Sequence, residues 1–406
     1  MKKSSIDRLR EYQIKSGYIP VDVNEYEVFI ERSISKDLPK GVRDNLKKTM
    51  LDELRMQVGQ LPTEYQNPST FMILQMLFKK IQKAAVYMSE QNKFNFPDRL
   101  TYGTASIGSF TAFVEDREHE QDYLILVSDD LFTFAHLLSK SIGMLTIDFS
   151  GKSGDETWFH FNLNEDHIEH ALITNHEAII RFTDLILAYS ITNRASNAEQ
   201  YTPDHRLAAI SSLFLDSFEL FVVGHEYSHL LLGHFFDRAG VAEDTEHYVE
   251  LNAEKIEIIV TNWKQEIEAD VLAAYLAITA MEGYDFASSY AGVDIGLITL
   301  IILERLESEL KGKTLDPVTH PPAEMRREAV YENMLKVDNS IKGIYEANSH
   351  IIDALWNRCM YLITKLDEML RETVNHKIIN VPYSLTQRLL YRIGDKLLLE
   401  FVEMNK

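Results

Sequence analysis

The sequence predicts an α+β fold, predominantly helical, in which a small β-hairpin or sheet accompanies a helical core. Three observations carry this expectation. Apolar residues recur at intervals of three and four over most of the chain, the period drops to two around residues 109–128, and the strand-like run "ETWFHFNLN" stands between helical stretches. At 406 residues, 45% hydrophobic and 25% charged, the chain has the length and composition to bury a sizeable core.

Taken in order, "VRDNLKKTMLDELRMQV" and "PSTFMILQMLFKKIQKAAVYMSEQ" read as amphipathic helices, the second with Ser69 or Thr70 placed to cap its start. Lys79, Lys80 and Lys83 form its solvated edge. "SFTAFVED" and "QDYLILVS" alternate as a β-hairpin, either strand of which offers an edge for an extended peptide, although an ordinary core hairpin explains the pattern as well. "SDDLFTFAHLLSKSIG" is a helix with Ser128 to Asp130 at its start and Gly143 as its stop. A helical run covers about 166–193, and "SNAEQYTPDHR" connects it to a long helix from about Arg206 to Gly233. "HYVELNAEKIEIIVTN" alternates and predicts strands or irregular structure, after which "WKQEIEADVLAAYLAITAMEG" is helical to about Gly283. Two or three helices follow Asn339. The expected division is a helical region over 1–95, a central core over 96–338 and a second helical region over 339–406.

The net charge of −21 argues against a nucleic acid or an anionic membrane as partner. Cys359 is the single cysteine, in an apolar helical context, so no intramolecular disulfide is possible. "MKKSSIDRLREYQIKSGYIP" has no apolar signal region, and the apolar stretches elsewhere read as too short or too interrupted for a bilayer, so a cytoplasmic location is expected.

The chemistry concentrates in "FVVGHEYSHLLLGHFFD", where His225, Glu226 and His229 spell HExxH. Residues four apart on a helix share a face, so both imidazoles can address one metal while Glu226 reaches a water. A catalytic zinc needs a third protein ligand. "KQEIEADVLAAYLA" supplies Glu266, which shares a face with Asp270, and Asp270 is placed to accept the second N–H of a ligating histidine. Acidic residues are also favoured in a first helical turn, which explains their number but not their order. Glu268 is rotated off that face and reads as solvated or as a cap. In "LDPVTHPPAEMRREA", Pro321 and Pro322 hold His320 at a rigid corner ahead of a new helix. Its chemistry alone is that of an exposed histidine at a turn.

HEYSH, EIEAD and THPPAEMRR, in this order, resemble the gluzincin metallopeptidases, most nearly the Lit phage-exclusion peptidases and more distantly the HtpX-type membrane peptidases. The resemblance spans about 110 residues. It implies one zinc per chain held by His225, His229 and Glu266, with Glu226 as general base, and it draws His320 and Arg326 into the surround of the site. It further implies an intracellular endopeptidase acting on a protein substrate, in phage defence or stress. The alternative is a regulatory or binding protein that keeps the zinc fold with little peptidase activity.

Two other histidine groups lack the pattern of a metal site. His234 lies five residues past His229, one short of the HExxHxxGxxH register, and reads as the fraying end of the helix. His160, His167 and His170 have no accompanying carboxylate pattern and read as surface.

Overall fold

Helical periodicity decides most of the chain. The computed structural model describes all residues except 1–2, 36, 91, 107–111, 116–120, 154–155, 204, 235–252, 313–319, 375 and 406. Four helices open it: α1 (Ser5–Lys15), α2 (Val23–Ser33), α3 (Lys40–Val58) and α4 (Pro68–Met88). α4 buries Leu74, Leu77, Phe78, Ile81, Ala84 and Ala85, the spacing of a single helical face. Its cap is neither Ser69 nor Thr70. Proline fits the first helical position, so Pro68 starts the helix and Asn67 accepts the Thr70 N–H at 3.1 Å.

Three strands follow, β1 (Arg99–Ala105), β2 (Ala112–Glu115) and β3 (Asp122–Ser128), in the order β1-β3-β2. β2 and β3 are antiparallel, as the alternation predicts, but β1 joins β3 in parallel and was not foreseen. Central β3 is buried on both faces, which is why "YLILV" is continuously apolar. Leu124 and Leu126 pack with Leu9 of α1, while Tyr123, Ile125 and Val127 face the main core. α1 is further tied to β3 by the Ser5 N–H and hydroxyl, which donate to Asp122 at 2.7 and 2.8 Å.

α5 (Asp129–Thr146) continues through Gly143 instead of stopping there. A Cβ at Gly143 would stand 2.9 Å from Leu207 Cδ1, so the glycine serves close helix packing and not termination. β4 (Ile147–Ser153) and β5 (Glu156–Phe161) form a separate antiparallel pair, β5 being the strand expected from "ETWFHFNLN". The helical run to 193 divides at Asn175 into α6 (Glu165–Thr174) and α7 (His176–Thr192).

α8 (His205–Leu232) runs through the middle of the molecule, packed by α4, α5, α9 (Ala253–Ala280) and α10 (Phe286–Arg305). The expected strands over 247–262 are not found: residues 253–262 belong to α9, and 247–252 lie outside the described residues. α11 (Ala323–Leu335), α12 (Ile341–Val374) and α13 (Tyr383–Met404) complete the chain. One buried cluster includes Leu74 of α4, Phe218 of α8, Leu355 of α12 and Leu398 of α13, so the outer helical regions share the core of the central one.

By length and composition alone, α8 and the stretch Phe286–Leu310 could cross a bilayer, contrary to the reading from run lengths. Of their most apolar windows, 61% and 72% respectively are buried inside the fold.

Candidate metal centre

His225 and His229 project from α8 toward α9, which brings Glu266 to meet them. The three donor sets converge: His225 Nε2 is 3.2 Å from His229 Nε2 and 3.5 Å from Glu266 Oε2, and His229 Nε2 is 3.5 Å from Glu266 Oε1. Ligands about 2.0–2.1 Å from a tetrahedral zinc stand roughly 3.3 Å apart, so the observed separations fit such an ion without rearrangement. This largely buried His225, His229 and Glu266 group could hold a metal ion.

Glu266, Glu268 and Asp270 lie in the middle of α9, which begins at Ala253. The preference of acids for a first helical turn therefore does not account for them. Asp270 is fully buried behind His225, its Oδ1 2.8 Å from His225 Nδ1. Arg326 of α11 closes the chain with two parallel bonds to Asp270, Nε to Oδ2 at 2.7 Å and Nη2 to Oδ1 at 2.8 Å. It also passes 3.9 Å from Glu266 Oε2.

His320 stands at the rim, 61% exposed at its side chain, with Nδ1 3.5 Å from Glu266 Oε2. The fold thus gathers residues from α8, α9, the corner before α11 and α11 itself around one point.

The electrostatics follow from burial and pairing. Burial opposes ionisation of Asp270, but the Arg326 guanidinium and His225 outweigh it and hold the carboxyl at about 2. Burial likewise disfavours charge on His225, and the Asp270 and Glu266 carboxylates overcome it, lifting the imidazole to about 10. Glu266 is also buried, yet His225, His320 and His229 hold it well below the usual carboxylate range. Glu226 behaves oppositely. Burial is its largest influence, and it rises to about 7 despite the neighbouring cations. Carboxylates thus stay ionised beside the two imidazoles, while burial favours the neutral form of Glu226.

His234 does not fray. Gly233 takes a left-handed φ of +72° and donates its N–H to the Leu230 carbonyl at 3.1 Å, while the His234 N–H donates to the His229 carbonyl at 3.1 Å. These two bonds are a Schellman turn, and they fold the His234 ring back on His229 with the two Nδ1 atoms 2.9 Å apart. His234 Nε2 in turn lies 3.5 Å from Glu268 Oε2. Glu268 is accordingly not merely solvated or a cap, although its side chain is 46% exposed and Lys264 stands 3.6 Å away. The signal was present in the sequence as a glycine followed by a histidine at the end of the HExxH helix.

A second group escaped sequence reading. Arg327, beside Arg326, makes two bonds to the fully buried Asp294 of α10 at 2.7 and 2.9 Å. It also donates to Ser349 Oγ and the Tyr345 carbonyl of α12. Asn348 adds a bond to Asp294 at 2.9 Å. This buried network fastens α11 to α10 and α12.

Among the described residues His167 and His170 join no metal-binding cluster; the side chain of His160 lies outside them. Cys359 is buried in the core. Comparison of the chain with protein-family models, with curated proteins and with solved structures returns no match.

Proposed function

We propose that the protein is a zinc-dependent endopeptidase of the cytoplasm, hydrolysing a peptide bond in a protein substrate. The observation that carries this reading is the convergence at one point of two imidazoles and a carboxylate at tetrahedral spacing, with the buried Glu226 next to His225 in the chain. Donors of the His, His, Glu kind are those of hydrolytic zinc sites. Bound zinc would polarise the substrate carbonyl and acidify the attacking water.

The chain's own residues do the rest. Glu226 takes the proton of the attacking water at its carboxylate and passes a proton to the leaving amine. Its elevated pKa suits a group that must both accept and release near neutrality. Asp270, held by Arg326, keeps the His225 ring turned so that Nε2 faces the centre. His320, on the exposed rim beside Glu266, is positioned to donate to the oxyanion that forms on the substrate. Outer strand β2 packs beside α8 and offers an edge along which an extended peptide can pair.

The test is cleavage of a diverse peptide or proteome-derived library by the zinc-loaded protein, read by mass spectrometry beside Glu226→Gln. New cleavage products from wild type, absent in Glu226→Gln although zinc stays bound, are expected. Equal turnover by the two proteins would remove the assignment.

A further inference from the structure

We infer that His234 and Glu268 are positioning residues for His229, forming a second acid-backed histidine chain to match the one behind His225. The inference rests on the metal-site reading and concerns a residue pair that HExxH does not contain.

A neutral imidazole carries one N–H. His229 presents Nε2 to His225 and Glu266, at 3.2 and 3.5 Å, so the nitrogen that must hold the proton is Nδ1. That atom faces His234 Nδ1 at 2.9 Å, and the short contact is satisfied when His229 donates and His234 accepts. His234 then carries its own proton on Nε2, the atom that lies 3.5 Å from Glu268 Oε2. Each contact in the run His229, His234, Glu268 has one donor and one acceptor. His234 is only 6% exposed, so the arrangement is held within the fold.

The backbone supplies the placement. Without the left-handed residue at Gly233 a side chain five positions past His229 would point away from it. The Schellman turn returns the chain at that step.

The order of EIEAD now has a physical reading. Glu266 faces the centre, Asp270 stands directly behind His225, and Glu268, rotated to the other side of α9, stands behind His229 with His234 between. The two histidines of the motif are backed by acids from one short stretch of one helix. Partners of this kind fix ring orientation and tautomer, and their loss typically weakens a metal site about 10–100-fold.

The experiment measures zinc affinity of the full chain by competition with a chromophoric chelator, together with the visible spectrum of the cobalt-loaded protein and the melting midpoint of the metal-free protein. His234→Ala should bind zinc about 10–100-fold more weakly and shift the cobalt spectrum. His234→Asn, whose Oδ1 replaces Nδ1 as acceptor, should recover most of the affinity, whereas His234→Gln, which places its amide nearer Nε2, should not. Glu268→Gln should give a smaller loss than His234→Ala. Zinc binding by His234→Ala within twofold of wild type, while His229→Ala binds poorly, would overturn the inference and leave the metal site standing. Equal weakening by Asn and Gln together with a lowered metal-free melting midpoint would reduce His234 to a packing residue. Absence of zinc binding by wild type would remove the metal reading itself, and this inference with it.

Discussion

The carboxylate of Asp270 is shared between His225, 2.8 Å away, and Arg326, which grips it through two bonds at 2.7 and 2.8 Å. Asp270 is fully buried, so its charge depends on these partners and has no solvent to fall back on. Removing one partner of such a pair leaves an uncompensated charge, at a cost of about 3–5 kcal/mol.

Arg326→Ala should therefore lower unfolding free energy by about 3–5 kcal/mol in urea denaturation and weaken zinc binding about 10–100-fold. Arg326→Lys should rescue only part of either loss, because an ammonium cannot make the two parallel bonds.

The neighbouring arginine separates stability from metal binding. Arg327→Ala strands the buried Asp294 and should cost a similar ~3–5 kcal/mol in the same denaturation measurement. At temperatures where the variant remains folded, its zinc affinity should stay within a few-fold of wild type. A drop as large as that of Arg326→Ala would show that the two networks are one.

Glu219, six residues before His225 on α8, gives a pH signature. Burial, with the Asp216 charge adding to it, raises its carboxyl from an ordinary 4.5 to about 8. The folded state keeps this proton where the unfolded chain loses it. Its stabilising contribution is thus complete below about 4.5 and is lost as pH rises toward 8. Across that window the loss is on the order of a few kcal/mol. Glu219→Gln, which cannot ionise, should flatten the decline and exceed wild type in stability at pH 8, as read by denaturation midpoints at several pH values. An unchanged slope would show that Glu219 is ionised in the folded protein at neutral pH.

Legibility in the sequence varied with how local each signal was. HExxH needs only the helical repeat, and EIEAD only a shared face, so the convergence of His225, His229 and Glu266 could be anticipated from spacing. β1 could not. "RLTYGTA" lacks strict alternation, and its partner β3 lies beyond β2, so only the folded sheet identifies it. "EKIEIIV" carries β-branched residues in the pattern of a strand, but it is continuous with the helix that bears Glu266. That tertiary setting overrides its local preference.

Arg326 and Arg327 are adjacent in the sequence, and nothing in that adjacency separates their roles. On a helix they point about a third of a turn apart, which sends one to Asp270 and the other to Asp294. His234 was legible in principle: its offset from His229 is wrong for a ligand but is the offset a Schellman turn brings back.

We propose above that His225, His229 and Glu266 together hold one zinc ion. The proposal is tested most directly by zinc content per chain, measured by plasma mass spectrometry on wild type and Glu266→Ala after excess metal is removed. About one zinc per wild-type chain, and clearly less in the variant, is expected. A wild-type chain that retains no zinc after being supplied with it, or a Glu266→Ala chain that retains as much as wild type, would contradict it.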